Sequence, residues 1–115
     1  MIEGFYRITF TGTSGSGFGL LVFHSGVIAG ADVAGAMFDG TYSEEPTSHA
    51  IDFHVTMNAP AGVTPVQTGV PLVAPLSLPI SGSFLTSDID SDTPTLLQTP
   101  LGPVNVLFKK IRDLP

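Results

Sequence analysis

Hydrophobic and polar residues alternate with a period of two near the start of the chain. Tyr6, Ile8 and Phe10 take one parity, and Arg7, Thr9 and Thr11 take the other. A pleated backbone sends such sets to opposite faces. The same rhythm returns over 50–57, where Ile51, Phe53, Val55 and Met57 share one face and Asp52, His54 and Thr56 the other. That pattern fits strands with one face in a core and one in water. Between these two segments, Gly12-Thr13-Ser14-Gly15-Ser16-Gly17 reads as a loop feeding a second strand, Phe18 to His24. Ser25-Gly26 makes a hairpin turn into Val27-Ile28-Ala29, because glycine readily supplies positive φ. Gly30-Ala31-Asp32 ends that strand, and Met37 to Tyr42 forms the next.

The texture changes from Ala59 to Pro103, where eight of the ten prolines fall. Proline has no N–H for a ladder, so Pro60, Pro65, Pro71, Pro75 and Pro79 imply edges, bulges or loop. Leu72-Val73 and Leu76 to Leu85 still predict one or two strands, and Asp88 to Pro94 a polar turn. Val104 to Ile111 is the last strand, apolar first and then basic. No window carries apolar residues at helical spacing without a breaker. Seven or eight short strands in 115 residues predict an all-β chain, one domain over 1–115, that fits a small antiparallel barrel of about eight strands or a sandwich better than an open sheet.

Charge narrows the partners. Ten acids oppose four bases for a net charge of -6, and three of the bases, Lys109, Lys110 and Arg112, crowd the C-terminal end. Phosphate contacts supply most nucleic-acid affinity, so direct nucleic-acid binding is not expected. Absence of cysteine removes disulfides and thiolate metal sites. Neither a leader-like N-terminus nor an apolar run of membrane-spanning length is seen, and the expected setting is cytoplasmic, away from membranes.

The candidate chemistry is thin. Asp88-x-Asp90-x-Asp92 has the opening spacing of a calcium loop, but Thr93 and Thr99 stand where its glycine and bidentate glutamate belong, so a solvated turn is expected. His54 shares a strand face with Asp52, yet no marked nucleophile accompanies this pair, nor His24 or His49. Ser14 and Ser16 lack a nucleophile elbow. Gly15, Gly17 and Gly19 echo a phosphate-binding loop, but a strand and not a helix follows them, so they read as a hairpin loop before a bulged strand. Neither a catalytic set, a cofactor nor a metal is expected. The ten aromatics spread over nearly every predicted strand and suit either a filled core or the walls of a hollow lumen. Glu44-Glu45-Pro46 forms an acidic tip, either a solvated loop or a docking handle for a basic partner.

With these residues in view, the chain resembles the GrlR-type negative regulators of bacterial type III secretion. The similarity runs through Gly4-Phe5-Tyr6-Arg7-Ile8-Thr9-Phe10, Gly17-x-Gly19, Gly26, Gly30-Ala31-Asp32 and Phe38-Asp39-Gly40, with Ser43-Glu44 following. A weaker echo continues in Phe53-His54-Val55, Asn58 and the closing strand. The resemblance covers 4–58 well and 59–103 poorly. It implies a calycin-like (lipocalin-like) barrel that dimerises and represses genes by binding a transcriptional activator protein. It also implies a partner contact in the acidic loop, here Glu44 and Glu45, and an apolar lumen through Tyr6, Ile8 and Phe10. The expected function is therefore a non-enzymatic regulator that binds a protein, with a basic transcriptional regulator as partner. The alternative is a carrier of an apolar small molecule in the lumen.

Overall fold

The computed structural model describes residues 2–89 and 92–115. Eight strands follow one another: β1 (Gly4–Gly12), β2 (Gly15–His24), β3 (Val27–Asp32), β4 (Met37–Glu44), β5 (Ala50–Ala59), β6 (Leu76–Leu85), β7 (Thr95–Thr99) and β8 (Gly102–Arg112). All belong to one antiparallel sheet in the order β6-β5-β4-β3-β2-β1-β8-β7. Each strand lies beside its sequence neighbours except at one seam, and β8 returns to pair with β1. β6 and β7 end the ladder but pack against each other, where Leu97 comes close to Gly82. The result is a nearly closed, up-and-down antiparallel barrel of eight strands, the barrel that the strand count predicts. Among the described residues there is no helix, and so none long and apolar enough to cross a membrane.

Several local expectations need correction. The glycine-rich stretch after Phe10 is not a loop. Gly12 pairs with Gly15 and Phe10 with Gly17, so both strands run to a two-residue turn at Thr13-Ser14. The irregularity in pairing lies elsewhere, between Phe5 and Tyr6 in the β1–β8 register, while β2 carries no bulge against β1. Gly30 to Asp32 belongs to β3, because Gly30 pairs with both Leu21 and Phe38. Leu72-Val73 is not a strand; Val73 is 99% exposed. The eighth strand is instead Thr95–Thr99, pairing with 102–106 of β8. Pro79 sits within β6, at the seam, where an edge strand tolerates proline.

Alternation places the core as the sequence implies. Tyr6 and Ile8 of β1, Leu21 and Phe23 of β2, Ile51 and Phe53 of β5, and Val104, Val106 and Phe108 of β8 are all buried in one cluster. Ser25 and Gly26 both have positive φ, 51° and 82°, the left-handed pair that a two-residue hairpin requires. Tightness of coiling comes from glycines on the inward parity. A Cβ added at Gly19 would stand 2.5 Å from the Ala31 carbonyl oxygen, and one at Gly40 would overlap the His54 carbonyl oxygen and lie 2.7 Å from Val55 Cα. Neighbouring backbone occupies the space a side chain would need, as at a barrel corner.

Gly40→Ala is therefore expected to lower unfolding free energy by about 1–3 kcal/mol, the usual cost of overpacking. Gly15→Ala, where an added Cβ meets nothing within 4 Å, should be neutral or slightly stabilising. Urea denaturation of both variants checks the contrast.

Candidate functional site

The barrel has two unlike ends. At one, β1 begins and β8 finishes, and the β2–β3, β4–β5 and β6–β7 connections gather. Aromatic rings close this end. Tyr6 and Phe23 meet edge-on with centroids 5.2 Å apart, and Tyr42 lies 5.2 Å from Phe23. Tyr6 is 1% exposed, and its hydroxyl donates to the Ile2 carbonyl at 2.5 Å. Ile89, within the stretch expected as a polar turn, is buried against the same cluster. Phe84 lies 5.7 Å from Phe53 and 5.2 Å from Phe108, extending the packing inward.

Toward the other end the interior opens into an apolar cavity of about 210 Å³. Ile8, Phe10, Leu21, Val55, Val106 and Phe108 are among its walls. Of the three residues proposed for the lumen, Ile8 and Phe10 line it, while Tyr6 belongs to the aromatic closure below. Glycine shapes this wall at Gly17, which puts no side chain on the inward face. The Phe10 ring occupies the place over Gly17 where a Cβ would be, 2.7 Å from its ring carbons.

Sequence reasoning missed the mouth. The β5–β6 connection folds back over it, bringing Val63, Thr64, Pro65, Val66 and Gln67 to the cavity. The connection is held by its own backbone bonds, Gly62 N–H to Leu72 O and Leu72 N–H to Val63 O, both 2.8 Å. It is tied to the barrel by the Ser14 N–H donating to Val66 O at 2.8 Å and by the Gln67 amide donating to the Thr99 hydroxyl at 3.2 Å. Pro65 is buried in this lid, and Leu72, expected as strand, helps brace it. The available signal was Val63-Thr64-Pro65-Val66, an apolar stretch within a proline-rich segment. Opposite the lid, Asp32 Oδ1 accepts the Ala34 and Ala36 amides at 2.9 Å each and fixes the β3–β4 turn at the rim.

Glu44 and Glu45 lie at the other, closed end, both exposed. Glu44 ends β4 opposite Ile51, with His49 Nδ1 3.8 Å from its carboxylate. Glu45 turns the chain: its carboxylate accepts the Thr47 amide at 2.9 Å and its carbonyl accepts the His49 amide. Nearby, Glu3 accepts the Ser25 amide at 2.6 Å and lies 3.5 Å from His24 Nδ1. His54 bonds Ser81 Oγ at 2.8 Å across the outer face, so its partner is a hydroxyl on β6. Among the described residues no group of three His, Asp or Glu is placed to hold a metal ion. Asp90 of the acidic turn lies outside the described residues.

Tyr42 reports the electrostatics of the closed end. Burial pushes its phenol above the ordinary 10.0, opposed by a Gly26 backbone hydrogen bond and reinforced by the Glu3 and Glu44 carboxylates. The folded state therefore holds this proton more tightly than the unfolded chain does. The associated stability is complete below the unfolded value and is lost as pH rises through the folded one. Urea midpoints measured from about pH 9 to 11 should fall with pH, and Tyr42→Phe should flatten that fall.

No protein-family model matches the chain, and no curated protein is significantly similar to it.

Proposed function

We propose that this chain is a non-enzymatic regulator of the kind it resembles, the negative regulators of type III secretion, and that it works by binding another protein. The observation that carries this reading is the placement of Glu44 and Glu45. Both carboxylates are exposed on the β4–β5 hairpin, where the resemblance puts the partner contact. Their backbone is fixed by the β4–β5 ladder up to the Glu44–Ile51 pair and by the turn that Glu45 organises. Paired carboxylates on a rigid tip steer a basic surface toward them. The partner is accordingly a basic protein, with a transcriptional activator as the leading class, and the resemblance adds a homodimer.

Pull-down from the native host should recover a basic regulatory protein. Replacing both residues (Glu44→Lys with Glu45→Lys) should cut that recovery at least tenfold, roughly what loss of a charged contact of 1.4 kcal/mol or more produces. Circular dichroism serves as the control for folding. Undiminished recovery would remove the hairpin from the mechanism.

The cavity favours a second reading, a carrier of an apolar small molecule. Its volume exceeds the roughly 150 Å³ that admits benzene into an engineered apolar site. Native mass spectrometry of freshly purified protein should show an adduct, lost in Val106→Phe, which narrows the lumen. Consistently adduct-free protein would overturn the carrier reading and leave the regulatory one untouched.

A further inference from the structure

The lumen has a charge preference built into its mouth. Asp32 is the one charged residue along the cavity among the described residues. Its carboxylate accepts two turn amides through a single oxygen, and a carboxylate offers further acceptor sites besides. The other polar side chains along the cavity are Ser16, Thr64, Gln67 and Thr99, all uncharged. None of the four basic residues reaches it. Arg7 and Lys109 are register partners, both exposed on the outer face of β1 and β8. Lys110 lies over the Tyr6 ring and pairs with Asp113, and Arg112 stands opposite Phe5 at the closed end.

We propose that the lumen selects amphiphiles by headgroup charge, taking a medium-length alkyl chain with a neutral hydroxyl head and rejecting the carboxylate of equal length. The inference rests on the carrier reading and supplies its ligand class. An entering carboxylate would give up water with no cation to receive it and would face Asp32, a like charge. A hydroxyl head can donate to Asp32 and accept from Ser16 or Thr64. Scaling from benzene in about 150 Å³, the cavity accommodates a chain of roughly eight carbons.

The test is a nuclear magnetic resonance titration of the labelled full chain at pH 7 with 1-octanol and, separately, octanoate. 1-Octanol should shift the amides of Ile8, Val106 and Phe108, and octanoate should bind at least tenfold more weakly. Asp32→Asn keeps an oxygen for the Ala34 and Ala36 amides but removes the charge, and should narrow that gap to under threefold. Equal binding of both probes to the native chain would overturn the headgroup preference while leaving the carrier reading standing. A gap unchanged in Asp32→Asn would overturn the role given to Asp32. Failure of both probes to move any lumen amide would overturn the carrier reading, and the preference with it.

Discussion

Closure of the sheet is the constraint on which the molecule depends. Eight strands form a barrel only if the sheet coils until its two ends, β6 and β7, meet, and that coiling brings backbone against backbone on the inward face. At Gly19, Gly30 and Gly40 a neighbouring strand already fills the place of a Cβ. The three residues sit on β2, β3 and β4, three consecutive strands away from the seam between β6 and β7.

The interior is filled unevenly. At Tyr6, Phe23 and Tyr42 rings pack against one another and close one end. Toward the other end the inward side chains leave a cavity between them, and Gly17 gives its place on the wall to the Phe10 ring. One sheet therefore holds both a packed half and a hollow half. Val63 to Gln67 covers the hollow half from outside the sheet, through hydrogen bonds to the β1–β2 turn and to Thr99.

Much of this was legible in the sequence wherever the structure is set by local alternation. Tyr6, Ile8 and Phe10, and Ile51, Phe53, Val55 and Met57, face inward as their period requires. Features decided by distant partners were not legible. Gly12 and Gly15 look like loop until each is seen to pair with the other in a continued ladder. Thr95 to Thr99 is five residues between Pro94 and Pro100, too short for periodicity to mark, and it becomes strand by pairing with β8. Leu72-Val73 has strand composition but serves the lid. For the site, the resemblance pointed to Tyr6, Ile8 and Phe10, which parity puts on one face, and of the three Ile8 and Phe10 line the cavity. The lid residues were hidden because their contacts span more than fifty positions, as between Ser14 and Val66.

The position of the chain ends has a practical side. β1 starts and β8 finishes at the closed end, the end that also carries the β4–β5 hairpin, across the barrel's length from the mouth. An affinity tag, a fused protein or a surface anchor joined at either end of the described chain leaves from the end that carries Glu44 and Glu45 and not from the mouth. Immobilised through a terminus, the molecule would still admit a small amphiphile while a bulky partner was screened from the acidic hairpin. Placement of the handle thus decides which of the two ends an assay is able to hear.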